Sequence, residues 1–196
     1  MPSSCSPTDP NPSLLLSAPM KYNLNFGTSV LLNVPVEKFD LADWIVNFSC
    51  EEYVACTPAS RSHRYSGLYR DADGDIVIRN DEYCGGFMMT QFYRPKLMEA
   101  QHVRMESRTK ARFLQVWPII FPLYWDLRVE ALNPAQTLFH CRIGARLPFV
   151  YFLASKLIQM LFWSQQHADE ETPLFAHYAA RWATRNDPDQ PARFWL

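Results

Sequence analysis

Between Pro148 and Pro173 the chain runs without a glycine or a proline, long enough for roughly six to seven unbroken helical turns. Pro148 suits the first helical position, where its missing N–H would be unpaired anyway. At about 100° per residue, Leu153, Leu157, Met160, Ser164, His167 and Glu171 fall on one stripe. A second stripe of Phe149, Phe152, Ile158 and Phe162 widens the apolar face. A helix apolar around most of its circumference is either a core helix or one that touches lipid. Lys156 and Gln159 interrupt the run, which is near the lower length for a membrane span, so a buried helix is expected and no transmembrane span. Pro173 is expected to start or kink a last segment carrying Leu174, Phe175, Tyr178 and Trp182.

The rest of the chain supplies what such a helix packs against. From Tyr22 a first strand alternates through Val34, and Pro35 opens a helix in which Leu41, Trp44, Ile45 and Phe48 recur at helical spacing. Ser49 is a natural N-cap for a short second helix, Cys50–Cys56, closed by Thr57-Pro58. A meander of about six antiparallel strands follows. His63–Tyr69 and Ile76–Ile78 flank a tight turn at Asp71–Gly74, and Glu82–Phe92 bends at Gly85-Gly86. Further strands are expected at Gln101–Glu106, Lys110–Val116, Tyr124–Leu132 and Thr137–Gly144. In Tyr124–Leu132, apolar Trp125, Leu127, Val129 and Ala131 alternate with a largely charged face.

Residues 1–19 hold five prolines and little that could pack, so they read as a disordered leader without signal-peptide features. Residues 20–185 then form one domain and 186–196 a tail. Net charge is −1, which argues against a nucleic-acid binder. Five cysteines, with no C-x-x-C pair, indicate neither a disulfide framework nor a zinc ribbon, and a cytoplasmic location is expected. Phosphate-binding glycine loops and a G-x-S-x-G elbow are both absent. His140 and Cys141 are adjacent, but neighbouring strand residues face opposite sides, so they are discounted as a nucleophile pair.

Strand, two helices, an antiparallel meander and one long helix is an α+β order in which a curved sheet wraps a C-terminal helix. Over roughly Tyr22 to Trp182 the chain resembles the START/Bet v 1-like superfamily of helix-grip proteins. That resemblance implies an apolar or aromatic small molecule held between sheet and helix, by a carrier, a polyketide cyclase or a hydrolase. Trp44, Phe87, Phe92 and Trp125 on the sheet side, with Leu153, Leu157 and Met160 on the helix, are the expected ligand-binding residues. The superfamily also includes Rieske oxygenase domains, but the paired Cys and His ligands of a Rieske cluster are missing. A lone iron site could draw on His102, His140 or His177, and nothing selects among them.

The sharpest chemical signal is His167-x-x-x-Glu171, which places an imidazole and a carboxylate one turn apart on one helix face. A divalent metal, with zinc the natural choice, could bridge them. Their alternative partners are each other or Arg128. His63 and Glu82, on early strands of the same sheet, are plausible remaining ligands. The set resembles the phloretin hydrolase and diacetylphloroglucinol hydrolase family, which cleaves the bond between an acyl group and an aromatic ring. In that family a His and a Glu come from the first half and an H-x-x-x-E pair from the last helix. His167 and Glu171 match that pair in spacing and placement; His63 and Glu82 match in type and order. A non-catalytic carrier, and an interaction protein using the apolar helix against a partner or a membrane surface, are the alternatives.

Overall fold

The computed structural model describes residues 24–57, 63–84, 87–113, 116–157 and 159–186. The expected leader, the Gly85-Gly86 bend and nearly all of the expected tail lie outside them. Seven strands form one antiparallel sheet: β1 (Leu24–Leu32), β2 (His63–Arg70), β3 (Ile76–Cys84), β4 (Phe87–Glu99), β5 (His102–Phe113), β6 (Trp117–Asn133) and β7 (Gln136–Ala145). Their order is β1-β7-β6-β5-β4-β3-β2, so β2 through β7 form a meander and β1 adds beside β7. Two short helices, α1 (Leu41–Asn47) and α2 (Cys50–Ala55), link β1 to β2. After β7 come α3 (Phe149–Leu157) and the long α4 (Met160–Thr184).

Strand β6 is longer than its alternating core suggests, because it runs through Pro118 and Pro122. Pairing with β7 begins only at Leu123↔Ala145, so both prolines sit where one edge of β6 has no β7 partner for an N–H to bond. Strand β4 likewise continues past Pro95, where the register with β5 shifts between Pro95 and Leu97. The two segments expected at 101–106 and 110–116 are one strand, β5. The hairpin at Asp71 forms as expected: Gly74 adopts φ 87° and its N–H donates to Asp71.

The concave face carries Phe121, Leu123, Trp125, Leu127 and Val129 from β6, all buried. Beside them lie Val103, Met105, Ser107 and Thr109 from β5. Against this face α4 presents Ala168, Phe175, Ala176 and Ala179. Small side chains let the helix axis come close, and Phe175 fills the gap, packing on Trp125, Tyr53 and His63. Helix α4 also closes the open side of the sheet: the Gln165 amide bonds both the N–H and the carbonyl of Gly27 on edge strand β1.

Two expectations about the C-terminal helix are corrected. It is not one unbroken rod, because Gln159 takes a left-handed conformation (φ 53°) and separates α3 from α4. The stripe therefore changes direction there, and Leu153 points to solvent rather than inward. Pro173 does not end or restart the helix, which continues to Thr184. It lies on the exposed side, where water can serve the carbonyl its ring leaves unbonded. No helix among the described residues is long and apolar enough to cross a membrane.

On the convex face Tyr124 lies directly over Gly144, with its hydroxyl donating to Asn25. A Cβ built at Gly144 would fall 2.0 Å from the Tyr124 ring. We therefore expect Gly144→Ala to lower stability by about 1–3 kcal/mol in thermal or denaturant unfolding. The same change should cost much less in a Tyr124→Ala background; equal costs in both would contradict the clash. Deleting residues 147–196 should abolish cooperative unfolding, since the sheet then has nothing to cover its apolar face.

Candidate metal centre

Four polar side chains from three elements meet under α4. His63 is the first residue of β2, Glu82 pairs with it across β3, and His167 and Glu171 lie one turn apart on α4. His63 Nε2 is 3.0 Å from Glu171 Oε1, and His167 Nε2 is 2.7 Å from the same oxygen. Ligand atoms of His63, His167 and Glu171 all lie within 4.8 Å of one another. The side chains of His63, His167 and Glu171 are only 1 %, 10 % and 5 % exposed. Glu82 stands next to this trio, its Oε2 3.7 Å from His63 Nε2.

Each member is held from behind. The Nδ1 of His63 lies 2.6 Å from the Tyr53 carbonyl, which can only accept, so Nδ1 carries the proton. In the neutral imidazole Nε2 is then a bare lone pair facing a carboxylate. The Tyr53 ring stacks flat on His63, with centroids 3.9 Å apart and 7° between planes. Its hydroxyl donates to Glu82 Oε2, while Gln91 Nε2 donates to Glu82 Oε1. Tyr53 is positioned by α2, whose N-terminus is fixed by a capping box between Ser49 and Glu52.

The electrostatics follow from burial and crowding. Burial alone would depress both imidazoles, but the Glu171 carboxylate outweighs it and raises His63 and His167 above the ordinary 6.5. Burial works to raise Glu171, and the two histidines overcome it and lower the carboxyl below the ordinary 4.5. Burial, reinforced by Glu82, pushes the Tyr53 phenol far up, so it stays a proton donor. His167 Nε2 and His63 Nε2 share one oxygen of the Glu171 carboxylate, at 2.7 and 3.0 Å. Two imidazole nitrogens and one carboxylate oxygen converging in the core are a donor set that fits zinc, with the Tyr53 carbonyl as the outer partner that orients a ligating histidine.

The structure thus brings together all four residues expected from sequence, three in mutual contact and Glu82 adjacent. Arg128 is not part of the cluster; it pairs with Glu130. His102 and His140 bond Asp126 and Ser29 instead. Cys141 points into the core, where Trp125 donates to its sulfur and burial pushes the thiol up to about 12. Tyr53 and Gln91 are contributors that sequence reasoning missed.

The expected ligand-contacting residues fare unevenly. Trp125 faces inward between Tyr93 and Phe175, beneath the cluster. Trp44 is buried but packs on Phe48 and Phe139 as core. Phe92 is corrected: Gln91 and Tyr93 occupy the concave face, so Phe92 turns to the convex one, with Lys110 over its ring. Leu153 is exposed, as described above. The side chains of Phe87, Leu157 and Met160 lie outside the described part of the molecule.

The charge cluster makes the protein's stability sensitive to pH in a defined way. The raised histidine values give a contribution that is complete below 6.5 and is lost as pH rises through the folded values. The lowered Glu171 value gives one present above 4.5 and lost as pH falls through the folded value. In the presence of a chelator, the melting temperature should therefore peak between these two ordinary values and decline above. Glu171→Gln should flatten that decline; a decline unchanged in the variant would contradict the assignment.

No protein-family model matches the chain, and no curated protein matches it. Solved structures do. The ZhuI aromatase/cyclase from Streptomyces sp. R1128 aligns with a TM-score of 0.53 at 13 % identity, covering 85 % of this chain and 98 % of its own. The hypothetical protein jhp0584 from Helicobacter pylori aligns at 0.50 and 11 % identity, covering 92 % of this chain and 98 % of its own. A START superfamily protein from Mycobacterium smegmatis aligns at 0.46 and 14 % identity, covering 83 % and 99 %. None of these three is named as a phloretin hydrolase, so that resemblance rests on the four side chains alone. Seven antiparallel strands closed around a long C-terminal helix, in this order, make the START/Bet v 1-like helix-grip fold, and the chain adopts it.

Proposed function

We propose that this protein is a metal-dependent hydrolase that binds an aromatic ketone between sheet and α4 and cleaves the bond from its acyl carbon to the ring. The observation that carries the reading is the convergence of His63, His167 and Glu171 in the core, with His63 Nδ1 tied to the Tyr53 carbonyl. A zinc ion held by His63, His167 and Glu171 would supply a Lewis acid and a water of lowered pKa. The protein's own groups do the rest. Glu82, fixed by Tyr53 and Gln91, stands beside the trio as a fourth ligand or as the group that passes a proton from water toward the ring carbon. In the overall reaction water adds hydroxide to the acyl carbon and a proton to the ring carbon, giving an arene and a carboxylic acid. Phe175, packed on both Trp125 and His63, sets aromatic rings against the trio. The ZhuI aromatase/cyclase, by its name, also works on aromatic chemistry within the same fold. Among the described residues the cluster's polarity argues against a purely apolar carrier site.

Purified protein should carry near-stoichiometric zinc by elemental analysis, and His167→Ala should lose it together with hydrolysis of hydroxyaryl ketones. The two-histidine, one-carboxylate set also suits ferrous iron, and the same measurement tells the two apart. With metal bound, the melting temperature should rise with pH through the histidine range, because the ion competes with protons. Metal-free protein whose stability is indifferent to a chelator would overturn the proposal.

A further inference from the structure

The end of the sheet where α4 begins is unusual in both polarity and charge. Helix α3 crosses that end: the Arg146 N–H bonds the Pro122 carbonyl at one side, and Ser164 on α4 meets Cys84 of β3 at the other. Although Tyr151 and Phe152 pack inward, Phe149 and Val150 are 77 % and 74 % exposed. Phe162 and Trp163, in the first turn of α4, are also exposed and touch each other. The tip of the β5–β6 hairpin reaches the same end, since Arg112 pairs with Pro118, and it exposes Val116 at 69 %. Exposed apolar side chains gathered at one end of a fold mark a binding face.

Charge identifies the occupant. Among the segments that reach this end are residues 83–98, 107–125 and 131–168. None contains an aspartate or a glutamate, in a chain that has 20 of them. They do carry cations, and Arg108, Lys110, Arg112, Arg146 and Lys156 are all exposed. Two copies of this face would oppose like charges, which disfavours a dimer through it. An anionic lipid surface offers apolar depth for the aromatic side chains and countercharge for the surrounding cations.

We infer that this end of the molecule docks on anionic membranes, with Phe149, Val150, Phe162 and Trp163 inserted at the headgroup boundary. The docked end is also the one nearest the first turns of α4, one to two turns above His167. A membrane-dissolved substrate would thus meet the protein at the end of the grip closest to the metal ligands. The inference does not depend on the metal or on the reaction.

The experiment is co-sedimentation of the full chain with phosphatidylcholine vesicles, with and without phosphatidylglycerol. Binding should be strong to the mixed vesicles, weak to the neutral ones, and reduced by salt. Phe149→Ser/Val150→Ser should lower the partition coefficient roughly tenfold or more. Arg108→Glu/Arg112→Glu should lower it by at least about fivefold per position on anionic vesicles alone. Both variants should keep the wild-type melting temperature and metal content, since all four side chains are exposed. Failure of the wild type to bind anionic vesicles would overturn the inference, as would variants that bind like wild type. So would a concentration-dependent dimer that Phe149→Ser/Val150→Ser abolishes, because a second copy would then cover the face.

Discussion

A carboxylate in the middle of a helix-to-sheet interface is the constraint on which this structure turns. Glu171 is 4 % exposed. Burying an ion of that kind costs several kcal/mol unless close partners compensate. One partner comes from far away in the chain, His63 at the first residue of β2, and the other, His167, from the turn above. His63 in turn depends on Tyr53, which depends on the capped helix α2. A single buried charge thereby couples the long helix, the edge of the sheet and the short helices that connect β1 to β2.

That coupling also explains the distribution of side-chain size along α4. Alanines at 168, 176, 179 and 180 bring the backbone close to the sheet, and Phe175 is the large fully buried residue among them. It touches Trp125, Tyr53 and His63 together. The polar cluster therefore has a packed aromatic floor, and its imidazoles and carboxylates sit on strands and a helix rather than on loops. Groups mounted this way keep their spacing within the narrow tolerance that metal binding and catalysis require.

Much of this was legible in the residue pattern. The alternation in Tyr124–Leu132 located the central strand, and His167-x-x-x-Glu171 located the helix face of the site, because both rest on local periodicity. What escaped depended on neighbours. Nothing about Gln159 marks it for a left-handed turn, since glutamine is an ordinary helix former. The first part of β6 also escaped, because a strand tolerates Pro118 and Pro122 only where β7 has not yet begun to pair. Phe92 was assigned to the wrong face because its orientation follows from register with β3 and β5, which hydrophobicity alone does not reveal. Tyr53 gave no sign of its role: its carbonyl and hydroxyl act on residues 10 and 29 positions away.

The pairing of Gln165 with Gly27 has a consequence beyond holding the helix in place. Among the described residues strand β1 is an outer strand, with β7 on one side, and an outer strand offers N–H and carbonyl groups to any passing chain. The Gln165 amide occupies one such donor–acceptor pair with a matching acceptor and donor, as a neighbouring strand's backbone would. One side chain thus caps the template at its midpoint. The most tempting place for sheet extension, and with it for fibrous self-association, is closed by the same helix that carries the buried carboxylate.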